Sequence, residues 1–126
     1  MAWDNSKQTI TLKSHADYSA KQYRFVKINS SGSAELSGAD EDAVGVLQNT
    51  PAAGEAAVVA IGGVSKLYIG TTGSLVAGSQ VAAMANGEGI LTNSGAFNLG
   101  YALEDSTADG DIISIIFTGG NGVKTA

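Results

Sequence analysis

The chain contains one histidine, His15, in the stretch KSHADYS, with Ser14, Asp17 and Ser19 beside it. Serine, histidine and aspartate are the parts of a nucleophilic hydrolase. That chemistry draws them from distant parts of a chain, because the imidazole must reach the serine hydroxyl while the acid holds it from behind. Neighbours in one short segment do not meet that geometry, so His15 reads as a solvated turn residue. Two carboxylate clusters, Asp40-Glu41-Asp42 and Asp109-Gly110-Asp111, lack the spacing and the closing glutamate of a calcium loop and also read as solvated turns. The stretch GGNGVKT, Gly119 to Thr125, follows an apolar strand as a phosphate-cradling loop does. It departs at Val123, which stands where a glycine would precede Lys124, and no helix follows to offer its N-terminal dipole. Twelve acids spread mostly through turns give no reason to single out a pair for glycoside hydrolysis. With no cysteine, thiolate catalysis, zinc-thiolate sites and disulfides drop out together. The expectation is a protein without catalytic residues, metal or cofactor.

The elements that would position any site are read from composition first. The 126 residues, with one proline, suit a single compact domain. The apolar 44% leans on Ala and Val, with three Phe, four Tyr and one Trp. Burial is worth roughly 25 cal/mol per Å² of apolar surface, so a core of small residues gains from a partner surface or from oligomerisation. A net charge of −5 and seven scattered Lys and Arg argue against nucleic acid. No apolar run approaches the roughly 18 residues of a membrane span, and MAWDNSKQTI is not a secretory signal, which predicts a soluble product made in the cytoplasm.

Helical periodicity is almost absent, whereas strand signals recur: Tyr23 to Ile28, Ala43 to Leu47, Ala56 to Ile61, Val64 to Ile69, Gln80 to Met84, Phe97 to Leu103 and Asp111 to Phe117. Ser31-Gly32 and Asn86-Gly87 suit hairpin turns, and Gly62-Gly63 predicts a tight reversal between two strands. Gly70 to Gly78 reads as a loop. The fold class predicted is all-β, a small β-barrel or β-sandwich.

The chain also repeats itself. A shift of 55 places Val26 on Val81, Gly32 on Gly87, Leu36 on Leu91 and Gly45 on Gly100; a shift of 56 places Leu47 on Leu103, Gly54 on Gly110 and Glu55 on Asp111. The traced repeat covers most of residues 22 to 120. Two readings stand: two pseudo-repeated β units that bury each other's faces, or the common look of Gly-rich β meanders.

Residues 1 to 20 fall outside that traced repeat and are read as an N-terminal arm, 21 to 120 as the β domain and 121 to 126 as a flexible tail. In KQTITLK, Ile10 and Leu12 share one face and Thr9 and Thr11 the other, the period of a strand. With Trp3 ahead of it, this arm is a candidate to add a strand to a partner's sheet edge through Trp3, Thr9, Ile10, Thr11 and Leu12. The alternative is an ordinary first strand.

Two passages go further: GVLQNTPAAGEAAVVAIGGVSKL, Gly45 to Leu67, and GYALEDSTADGDIISIIF, Gly100 to Phe117. Together with YRFVKI they resemble the signature passages of the capsid decoration, or cement, proteins of tailed bacteriophages. The resemblance implies a compact β domain on the outer surface of an expanded icosahedral head, in trimeric clusters, without enzymatic activity. Its implied partners are the major capsid protein and further copies of itself, and its location the virion, after synthesis in the bacterial cytoplasm. A second function is a virion-displayed host-surface or glycan-binding module, in which Tyr18, Tyr68 and Tyr101 would stack on sugar rings. A third is a hydrolase.

Overall fold

A computed structural model describes residues 7–70, 75–93 and 95–119. Trp3 and the segment 121–126 lie outside them. Among the described residues nine strands form one antiparallel sheet: β1 Lys7–Lys13, β2 Phe25–Ile28, β3 Ala34–Leu36, β4 Gly45–Leu47, β5 Ala56–Tyr68, β6 Gln80–Ala83, β7 Gly89–Leu91, β8 Gly100–Ala102 and β9 Ile112–Phe117. The order is β3-β2-β4-β5-β9-β8-β6-β7, with β1 paired to β5. The sheet curls into a half-barrel, so the all-β expectation holds, with no α-helix among the described residues.

The reversal expected at Gly62-Gly63 does not occur. The chain runs straight through as β5, thirteen residues long. Its first half pairs with β1, Ile10 opposite Val59 and Lys13 opposite Ala56, and its second half with β9, Ser65 opposite Ile115 and Tyr68 opposite Ile112. The two glycines sit at a bulge, where the β1 register shifts between Gln8 and Thr9. The extra residue is Ile61, between Ala60 opposite Thr9 and Gly62 opposite Gln8, and just beyond it Gly63 takes φ +84°, which glycine adopts without strain.

The duplication is real in three dimensions. Val26 opposes Leu36 as Val81 opposes Leu91, and Val26 opposes Gly45 as Val81 opposes Gly100. Loop hydrogen bonds repeat in the same way: Val44 N to Val26 O and Leu99 N to Val81 O, both 2.8 Å. Positive φ recurs too, Tyr23 with Gly78 and Asp40 with Gly95, 55 positions apart, then Gly54 with Gly110, 56 apart. Leu47 matches Ala102 rather than Leu103, since Leu47 O accepts from Tyr23 N as Ala102 O accepts from Gly78 N. The inserted residue therefore lies in the turn that follows.

The repeat also reaches further toward the N-terminus than side-chain identities trace. β1 meets the first half of β5 in the register in which the second half of β5 meets β9. Ser14 bridges Ala34 in parallel just as Ile69 bridges Gly89, closing each unit on itself. Unit one comprises β1, β2, β3, β4 and the first half of β5; unit two comprises the second half of β5, β6, β7, β8 and β9.

Two cores result. Val26, Leu47, Ala57 and Val59 fill unit one, with Ile10 and Leu12 of β1 packed against them. Val81, Leu99, Ala102, Ile113, Ile115 and Phe117 fill unit two, joined by Phe25 and Val46 from unit one. Adjacent residues of β2 and β4 thus point into different cores, which makes these strands a wall that is apolar on both sides.

Candidate functional site

The contact between the units is asymmetric. Unit one presents its β2–β4 wall; unit two presents the β6–β7 hairpin, the second half of β5 and the end of β9. At its centre the Phe25 and Phe117 rings are 6.2 Å apart. Around them the Arg24 Nη1 donates to Glu88 Oε2 at 2.9 Å and to Asn86 O at 3.4 Å, and its guanidinium lies 4.4 Å over the Tyr68 ring. Gln48 Nε2 donates to Ser65 Oγ at 2.8 Å. Main-chain bonds complete the joint: Tyr68 N to Tyr23 O at 2.8 Å and Asp40 N to Ala83 O at 2.9 Å. An apolar centre with a polar rim thus joins the two units, although the buried Arg24 Nε in that rim has no hydrogen-bond partner among the described residues.

Among the described residues nothing lies over the matching wall of unit two. Gln80 and Tyr101 replace Phe25 and Val46, and Tyr101 is exposed opposite Ile116, with Leu103 and Ile112 nearby, exposed by 39%, 38%, 44% and 50%. Apolar side chains gathered on one wet sheet face mark an interaction surface. The sequence signal for it was present in IISIIF: a strand with one solvated face should alternate, and this one is apolar on both.

The strand proposed as a binding arm is in place as β1, held along one edge by β5. Thr9 and Thr11 are exposed, and Ile10 and Leu12 are half-buried against the core of unit one. Four of the five arm residues therefore sit together on an edge strand, and Trp3 lies outside the described residues.

Other expected features resolve into local roles. His15 is exposed, its Nδ1 3.1 Å from the Asn29 side-chain nitrogen and its Nε2 4.0 Å from Glu35. Asp111 accepts from Thr107 N and Ala108 N, and Asp42 from Ala43 N, so these carboxylates tie turns. The aromatic set suggested for sugar stacking is not assembled. Tyr18 is buried with its hydroxyl accepting from Leu36 N, and Tyr68 lies under Arg24.

An open groove of about 910 Å³ runs between the units, past Lys27, Asp40, Val44, Phe97 and Phe117. On its rim Lys27 Nζ donates to Glu41 Oε1 at 2.8 Å. That hydrogen bond, followed by one from Gly38 N, holds the Glu41 carboxyl below the usual carboxylate range, and the same bond raises Lys27 above 10.5. Glu41 thus contributes stability above the ordinary carboxylate range that is lost as pH falls through its lowered value. Lys27 contributes through neutral pH and loses its share only as pH rises through its raised value. Both groups are partly exposed, so the effect is small, at most about 1 kcal/mol. Thermal melts of Glu41→Gln should fall slightly below wild type at neutral pH, and the gap should close in strong acid.

The phage cement protein family matches residues 4–117, a span that contains both units. The chain belongs to this family. Its role is a structural one at the phage capsid, and this cement protein is accordingly a capsid-associated virion protein. No functionally curated protein matches the sequence. Among solved structures, the head fiber gp8.5 N base of bacteriophage phi29 is similar in fold, with a TM-score of 0.67 at 13% identity, covering 90% of the cement chain and 95% of the phage chain.

Proposed function

We propose that this cement protein binds the outer surface of the expanded head, joins coat subunits and neighbouring copies, and so stabilises the shell against the pressure of packaged DNA, with no enzymatic activity. The observation that carries the reading is the family match across both repeat units. Three features support it. The two units are joined through a shared wall that carries a core on each side. One face is apolar and exposed although the chain is acidic overall. The β1 strand, with Thr9 to Leu12, pairs only with β5 among the described strands, which leaves its other edge for a strand of coat protein or of a neighbour. Trp3 belongs to the same proposed contact.

The mechanism needs no chemistry. A protein that binds only the expanded lattice lowers the free energy of that lattice by mass action. Copies that touch two coat subunits, or each other in trimeric clusters, raise one another's effective concentration, so modest contacts add up. Purified protein should co-sediment saturably with expanded heads stripped of it, not with unexpanded ones, and should raise their disruption temperature. Absence of binding to either shell would overturn the reading.

A further inference from the structure

The chain displays, inside itself, what covers a β2–β4 type wall: the hairpin and first strand of a following unit. Unit two offers the same wall, built from β6 and β8, to solvent, and unit one offers the same hairpin, β2–β3, and the same first strand, β1. We propose that the uncovered wall of unit two is a docking surface for unit one of a second copy, in a head-to-tail contact that repeats the internal joint. The inference deepens the self-association part of the proposed function and identifies its surfaces.

The pairs that make the internal joint can be followed to their counterparts. Arg24 with Glu88 becomes Ser79 with Ser33, so both charges disappear together. Gln48 with Ser65 becomes Leu103 with Ile10, so both partners turn apolar together; Leu103 is 44% exposed and Ile10 half-buried. Arg24 over Tyr68 becomes Ser79 beside Lys13, again without an unpaired acid. Phe25 with Phe117 becomes Gln80 with Ile61, and the centre of the new contact is less apolar, with Tyr101 adding area where unit one has Val46. The main-chain bonds carry over as well. Tyr68 N to Tyr23 O corresponds to Lys13 N of the second copy toward Gly78 O, and Asp40 N to Ala83 O corresponds to Gly95 N toward Ile28 O of the second copy. Lys13, Gly78, Gly95 and Ile28 are all exposed.

The hairpin tip also fits. Gly87 lets the Asn86 turn settle on the Phe25 backbone, where any Cβ would overlap the Phe25 carbonyl. Its counterpart Gly32 has φ +78° and open space around it, a tip with no wall under it among the described residues. The operation that relates the units places the start of β1 of the second copy beside the end of β9 of the first. A single continuous strand, β5, occupies the corresponding place inside the chain. Contacts of this kind are heterologous; repeated, they form a ring where the rotation closes and an open filament where it does not.

The test uses the absence of cysteine in the native chain. Ser31→Cys and Ser79→Cys proteins are prepared separately, because the counterpart of this pair is the Asn86 to Arg24 contact. They are treated with a short bismaleimide alone and as an equal mixture, both in solution and on heads. The expected result is a cross-linked heterodimer in the mixture, at least ten-fold over either protein alone, and a ten-fold loss when Leu103→Glu is added to the Ser79→Cys protein. Leu103 is exposed, and an unchanged thermal midpoint for Leu103→Glu shows that the loss is not unfolding. Equal or greater cross-linking of either protein with itself, or no heterodimer in solution or on heads, overturns the contact. Head binding without the cross-link counts against this contact alone; the cross-link in solution without head binding counts against the capsid reading alone.

Discussion

Replacing Gly100 by alanine should lower stability by about 3 kcal/mol, the upper end of the cost of forcing extra atoms into a packed site, which corresponds to roughly 10 °C in the thermal midpoint. A Cβ at Gly100 would overlap the Ile116 carbonyl oxygen, and that oxygen belongs to the β8–β9 ladder, where relief means breaking strand pairing. Gly45 meets the Ala60 carbonyl in the same way in unit one. Gly45→Ala should therefore cost about as much, which tests the repeat as well as the packing. Gly62→Ala is the control: its nearest neighbour is the Gln8 side chain at 3.9 Å, and its loss should stay within about 0.5 kcal/mol. Equal midpoints for all three variants would show that the strands separate more readily than the packing indicates.

Phe25→Ala should cost about 4 kcal/mol in urea denaturation, within the range for truncating a buried aromatic. Phe25 is fully buried in the core it shares with unit two, against Phe117. Its counterpart Gln80 is exposed, and Gln80→Ala should change stability by no more than about 0.5 kcal/mol. The same strand position thus matters in one unit and not in the other, because among the described residues only one wall is covered. An unchanged denaturant slope would show that the two units still unfold together; a second transition would show that Phe25 is what couples them.

The strands and the repeat were readable because their signals are local: β-branched runs between glycines, and glycines recurring at a fixed interval. Gly62-Gly63 misled because a glycine pair marks a turn and a bulge equally well, and only the partners of β5 decide between them. β1 escaped the repeat because Thr9 to Lys13 shares with Val64 to Tyr68 little beyond Leu12 and Leu67; the equivalence lies in strand register, which identities do not record. Tyr18 and Tyr68 looked like surface aromatics until long-range packing placed one under β3 and the other under Arg24. The exposed wall of unit two was half legible, in β9, where Ile112 and Ile116 stand on the face that alternation would make polar. Which face stays wet depends on what the other unit covers, and no local pattern carries that.

The undivided β5 strand also sets the order in which the molecule is made. As the chain emerges during synthesis, every strand of unit one is present once Ile61 has appeared, and that unit can close. The segment from Val64 to Tyr68 must then wait for Ile112 to Phe117, the last strand formed, with Leu67 bare in the meantime. Closing a pairing of such high contact order is slow, and an unpaired apolar edge accepts the β9 of another nascent chain as readily as its own. The continuity that makes the finished module stiff is therefore the source of its main folding hazard, strand exchange between copies made side by side.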